Sequence, residues 1–334
     1  MRRLTLVAVA LTAACSASSH TSSPRVTAAP VPTTPSPAAA TPAPPARALH
    51  WTTGRPLPVA VSEVGVAALG TSVHVIGGYV GGRPHSTTHL VLDTTTGRWT
   101  TAAPLPVALD HVGVAALAGK LWAVGGYGAR SGGTTHVWSW DSRTNSWTPH
   151  APLPHPVAAG ICVALDGRLH YVGGKSQGRD VPDHLVYDPT ADSWSYAAPL
   201  LVARDHAAGA VVDGKLYVAV GRPGDLSSAT VFDPATGRWS ALPPAPLGRS
   251  SVAGAALDGR FLVIGGEHPA EQGVDTEVDA FDPATARWTR EPSLPAGRQG
   301  IGAAVVDGVL YLPGGGPVGG GSRQSDVLLE LRPR

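Results

Sequence analysis

The chain has 334 residues and a formal net charge of +1, so no bulk electrostatic field recruits nucleic acid or an anionic membrane. Glycine (41) and proline (32) make up more than a fifth of it, which excludes a helical protein, and no collagen-like period accounts for them. The two cysteines, Cys15 and Cys162, give no disulfide framework, so stability must come from a hydrophobic core.

Arg2 and Arg3 open a targeting segment, and the apolar run from Leu4 to Leu11 is too short to span a bilayer. Thr12-Ala13-Ala14-Cys15 follows and resembles a bacterial lipobox. That resemblance implies a lipoprotein signal peptide over residues 1–14 and lipidation at Cys15. The alternative is an ordinary secretory signal with Cys15 upstream of the cut. Residues 15–47 are nearly all Ser, Thr, Pro and Ala, a composition that cannot offset its ordering entropy and reads as an extended tether. The expected protein is secreted and held on the outer face of a bacterial membrane through its lipid anchor alone.

From residue 48 the chain repeats itself. Gly-Gly pairs close apolar runs at residues 77, 125, 173, 265 and 314, with Val220-Gly221 as a degenerate copy. Trp51, Trp99, Trp147, Trp194, Trp239 and Trp288 recur in step, at the spacing of a propeller blade. Four strands, a to d, are predicted in each unit. In residues 200–240 they are Ala207 to Val212, Leu216 to Val220, Ala229 to Phe232, and the segment at Trp239. Asp213-Gly214 is a two-residue hairpin between a and b, because both positions tolerate positive φ. Asp93, Asp141, Asp188, Asp233 and Asp282 open the turns from c to d as side-chain-to-backbone turn formers.

An apolar run into Gly-Gly, then a tryptophan about twenty residues later, resembles the kelch motif. The resemblance covers residues 48–334 and implies an all-β, six-bladed kelch propeller with four antiparallel strands per blade. The last unit has no tryptophan after its Gly-Gly, and Trp51 precedes every Gly-Gly. The N-terminal strand is therefore expected to close the last blade, protecting an edge that an open array leaves exposed.

The phased tryptophans are expected in the core, since burying one removes about 150–250 Å² from water. Cys162, among Ile161, Val163 and Ala164, reads as an inert buried thiol. Function is sought in what breaks the repeat, on the face carrying the d–a and b–c loops. Counting back from each Gly-Gly aligns the entry to strand a. Val61, Leu109, Val157, Arg204, Arg249 and Arg298 share one position. The next holds Ser62, Asp110, Ala158, Asp205, Ser250 and Gln299, and the third Glu63, His111, Ala159, His206, Ser251 and Gly300. Arg204, Arg249 and Arg298 are expected to make one side of the channel mouth cationic. Asp110, His111, Asp205, His206, Gln299, Tyr79 and Tyr127 complete the expected ligand set. The b–c loops add Arg83, Arg130, Lys175, Arg179, Asp180, Arg222, Asp225, Glu267 and His268.

The leading expectation is a binding module that presents this face to a glycan, peptide or protein ligand, as a monomer without cofactor. The second rests on a resemblance to secreted six-bladed kelch proteins that epimerise or mutarotate acidic sugars such as sialic acids. It implies arginines on a carboxylate and His111, His206 or Glu63 as catalytic proton carriers. The third is a copper-radical oxidase resembling galactose oxidase, whose kelch relatives use seven blades and a tyrosine–cysteine crosslink. No tight ligand spacing in the sequence marks a metal site.

Overall fold

The computed structural model describes residues 48–82, 84–129, 132–268 and 273–334. The expected signal peptide, the tether and Cys15 lie outside the described residues, as do Arg83 and Arg130. The described residues form six four-stranded antiparallel sheets, the blades of a closed propeller, with two short two-stranded ribbons in b–c loops. Blade 4 illustrates the unit: strand a is Ala208–Val212, b is Lys215–Ala219, c is Ala229–Asp233 and d is Arg238–Leu242. The predicted strands differ from these only at their ends.

Local chemistry accounts for each turn. Asp213 and Gly214 sit at φ 48° and 71°, the left-handed pair that a two-residue hairpin needs, and Asp166-Gly167, Asp258-Gly259 and Asp307-Gly308 repeat it. At the c–d turns, the Asp93 carboxylate accepts from the backbone N–H groups of Thr95 and Thr96. Asp141, Asp188, Asp233 and Asp282 each accept from the N–H two residues on.

Closure follows the expected scheme. Leu49–Thr53 pairs antiparallel with Leu328–Pro333, placing Trp51 opposite Leu331 as strand d of blade 6. Two hydrogen-bonded rings then run round the molecule. In the outer one, the second residue of each Gly-Gly pair donates across to the next blade: Gly78 to the Leu109 carbonyl, then Gly126 to Val157, Gly174 to Arg204, Gly221 to Arg249, Gly266 to Arg298 and Gly315 to Val61. Glycine is required here. A Cβ on Gly77 would lie 2.5 Å from the Leu109 carbonyl oxygen, and both residues of that pair have positive φ. The degenerate copy keeps the geometry under strain, with Val220 held at φ 58°.

The tryptophans depart from the expectation of full burial. Of the six phased tryptophans Trp239 alone is buried; Trp51, Trp99, Trp147, Trp194 and Trp288 are half-buried. Each indole N–H instead latches its blade to the chain leaving the preceding one. Trp99 donates to the Arg55 carbonyl, Trp147 to Ala103, Trp194 to Ala151, Trp239 to Ala198, Trp288 to Pro243 and Trp51 to Pro292, all at 2.8–3.0 Å. A buried ring atom set against a wet edge suits an amphipathic indole.

Candidate functional site at the channel mouth

Strand a lines the channel in every blade, so the residue entering it sets the mouth. Glu63, His111, Ala159, His206, Ser251 and Gly300 all adopt positive φ between 50° and 59°. Their backbones form the inner ring. His111 N–H donates to the Glu63 carbonyl, Ala159 to His111, His206 to Ala159, Ser251 to His206, Gly300 to Ser251, and Glu63 back to Gly300. The same six residues line a small open cup of about 110 Å³. One turn deeper, Val66, Val114, Val163, Val211, Ala256 and Val305 make the channel wall apolar.

Three polar side chains of this ring converge. Glu63 Oε2 lies 3.0 Å from His111 Nε2, and the His111 and His206 ring centroids are 4.8 Å apart, edge to face. Gly300 makes room for the carboxylate, since a Cβ there would stand 2.5 Å from Glu63 Oε1. Behind each imidazole lies a buried aspartate from the preceding position. Asp110 accepts from His111 Nδ1 through one oxygen and contacts His85 Nδ1 through the other. Asp205 Oδ1 is 3.1 Å from His206 Nδ1. Tyr79 and Tyr127 flank His111 edge to face, with centroids 5.9 and 5.3 Å away.

Electrostatics separate the two histidines. Burial penalises the His111 cation, but Glu63 and Asp110 on either side outweigh it and raise its pKa to about 10. Burial likewise works against the Glu63 anion, and the neighbouring His111 overcomes it, bringing the pKa to about 2. His206 is shifted down, first by burial and then by repulsion from His111 against the help of Asp205.

The expected arginine cluster does not form at this mouth. Arg204 and Arg249 are 1% and 0% exposed, and Arg298 is 6% exposed. Their guanidinium groups turn into their own blades, donating to the carbonyls of Val220 and Ser228, of Gly265 and Val263, and of Gly314 respectively. Arg249 also pairs with buried Asp279 at 2.8 Å. Their position is two residues before the inner ring, where a long donor reaches the carbonyls freed at the end of strand b. Gln299 is also fully buried and donates to the Val318 carbonyl, bracing a loop. Among the described residues, the cations that reach the mouth are Arg222, paired with Glu267, and Lys175, 3.2 Å from Asp180 and 3.3 Å from Asp205. The sequence showed both only as loop members, and it gave no sign of His85. Their strand-like pairing, Asp205 with Arg222 and Ala158 with Lys175, is what carries them inward. Cys162 is buried, and desolvation pushes its thiol up to about 12, consistent with an inert group.

Six closed four-stranded antiparallel blades define a six-bladed β-propeller. The Kelch motif family matches residues 109–154, 203–246 and 248–295, so blades 2, 4 and 5 carry kelch repeats by sequence as well as by geometry. Among solved structures, the one described as "Structure of YjhT" superposes with a TM-score of 0.73 over 83% of this chain and 96% of that one. Its 19% identity makes this a likeness of fold. No curated protein matches the chain.

Proposed function

We propose that this chain is a ligand-binding propeller that takes a polyhydroxylated, uncharged glycan at the mouth of its channel. The observation that carries the reading is the cup itself, lined by Glu63, His111, His206 and Ser251, with the rings of Tyr79 and Tyr127 set edge to face against His111. Carboxylate and imidazole groups match sugar hydroxyls as acceptors and donors, and tyrosine supplies an apolar face with a polar edge. An acidic ligand is less well served, because the guanidinium of Arg222 and the ammonium of Lys175 already answer Glu267, Asp180 and Asp205. A glycan and peptide array probed with the full chain tests it. Neutral glycans should bind and Tyr127→Ala should weaken them at least tenfold; binding confined to peptides overturns the reading.

A second reading, sugar mutarotation or epimerisation, is favoured by the 3.0 Å contact of Glu63 with His111 beside His206. These groups stand close enough to one another to hand a proton on and off a sugar oxygen. Accelerated exchange of anomers in an NMR spectrum supports it; exchange at the buffer rate removes it. The setting proposed for either activity is an outer membrane face, reached through acylation of Cys15. Cys15→Ser should move the protein from the membrane fraction to the medium, and retention without palmitate label overturns the anchor.

A further inference from the structure

The mouth holds the same small device twice. In blade 2 the order Asp110-His111 places a buried carboxylate against Nδ1 of the imidazole, and in blade 4 Asp205-His206 does the same. The two aspartates are 0% and 1% exposed, so neither is a surface acid that happens to lie near a histidine. With Nδ1 of each ring turned to its own aspartate, Nε2 is left for the channel axis. Glu63, from blade 1, brings a carboxylate to the same point, and donor atoms of the three residues lie within 4.8 Å of one another.

We propose that Glu63, His111 and His206 form a site for one divalent transition-metal ion of the zinc class, oriented by Asp110 and Asp205. Two imidazoles and one carboxylate with open positions toward a cup are the donor set that such ions take when they also meet an exogenous oxygen. A histidine that ligates through one nitrogen almost always gives its other N–H to a carboxylate or carbonyl, which fixes the ring and raises its basicity. His111 has that support from Asp110, and in a separate blade His206 Nδ1 stands 3.1 Å from Asp205 Oδ1, where a small ring rotation aligns the same bond. Charge agrees: around the cup the carboxylates Glu63, Asp110, Asp205, Asp180 and Glu267 outnumber the cations Arg222, Lys175 and protonated His111 that pair with them, and the ion takes the place of the His111 proton. A zinc-sized ion with bonds of about 2.0–2.1 Å in tetrahedral geometry seats its donors about 3.3–3.4 Å apart. Small side-chain rotations from 4.8 Å suffice, with the ion entering between Glu63 and His111. Ser251 and the open cup remain for water or for the oxygens of a ligand.

The test needs no glycan, so its failure and that of the glycan reading are distinct. The full chain, prepared without a histidine tag and stripped with chelator, is titrated with ZnCl2 by calorimetry and with CoCl2 by visible absorption. One equivalent of Zn²⁺ per chain is expected, with visible Co²⁺ bands from nitrogen and oxygen donors. His206→Gln and Glu63→Gln should each lower affinity at least 100-fold and abolish the bands, with the melting temperature of the stripped protein kept as a check on folding. Asp205→Asn, which leaves all three donors in place, should weaken binding about 10–100-fold. No stoichiometric binding by the unaltered chain overturns the site. Binding that is unchanged in any folded member of the Gln pair overturns it as well.

Discussion

Trp51 and Pro292 stand 241 residues apart in sequence, and the indole N–H of the first donates to the carbonyl of the second at 2.8 Å. With the pairing of Leu49–Thr53 on Leu328–Pro333, this bond closes the propeller from both sides of blade 6. A chain beginning at residue 56 loses that strand, the buried Leu49 and the latch. It should melt roughly 10 °C lower or more, taking about 2–4 °C per kcal/mol for a domain of this size. Trp51→Phe keeps most of the ring and loses the donor, at a cost of about 1 kcal/mol. Differential scanning calorimetry of the two chains against the parent measures both effects.

The arginines inside the blades predict destabilisation without loss of binding. Arg249→Ala strips a fully buried guanidinium from Asp279 and from the Gly265 and Val263 carbonyls. Breaking one partner of a buried pair costs about 3–5 kcal/mol, although Arg290 at 3.0 Å gives Asp279 a second cation and should hold the loss to the lower end. Arg204→Ala, which touches only neutral acceptors, should cost less. Urea midpoints report the stabilities. Glycan affinity per folded molecule should stay constant, and a loss specific to affinity would return these side chains to the ligand.

Two homologous pairs of buried histidines predict sensitivity to acid. His74 Nδ1 meets His89 Nε2 at 3.0 Å in blade 1, and His170 Nδ1 meets His184 Nε2 at 2.8 Å in blade 3. Burial lowers His74 to about 3, helped by His89, and lowers His89 to about 4 against its bond to the Ala103 carbonyl. It lowers His184 to about 4 as well, and His170 in the same direction. Trp140 and Trp147 pack against His89, while Phe232 and Trp239 pack against His184. These groups fold neutral and bind protons more readily unfolded, where the ordinary value is about 6.5. Their contribution is complete above pH ~6.5 and is lost as pH falls through the folded values near 4 and 3. The melting temperature should drop steadily from pH 6.5 to 4, and His89→Gln, which cannot ionise in this range, should flatten that slope.

Gly300 has two reasons to be glycine. Its φ of 59° is left-handed, and a Cβ would press on the Glu63 carboxylate. Gly300→Ala should cost about 1–3 kcal/mol in a chemical melt, the range for a strained left-handed position. The displaced Glu63 should also weaken Zn²⁺ at the mouth. Ser251→Ala, at the neighbouring ring position with nothing comparable to displace, serves as the control and should change metal affinity little.

How much the sequence showed depends on the range of the interaction. Blade number, the Asp-Gly hairpins, the aspartate-led c–d turns and the closing strand were all legible, because each is written in a local pattern repeated along the chain. The inner ring was legible as an aligned column, Glu63 to Gly300, but not as a closed circuit of hydrogen bonds with a shared cup. Alignment alone gave no direction to the side chains. Arg204 and His206, two residues apart in the chain, differ in fate because the entry to strand a bends through a left-handed residue, sending one into the blade and the other toward the axis. For the same reason the tryptophans, periodic enough to read as core, became latches whose acceptors lie about a blade away. The sequence by itself determined the blade and its count, since backbone and apolar periodicity suffice for those. Only the tertiary structure decided which polar residues meet, because Glu63, His111 and His206 come from three blades and touch only after the ring is closed.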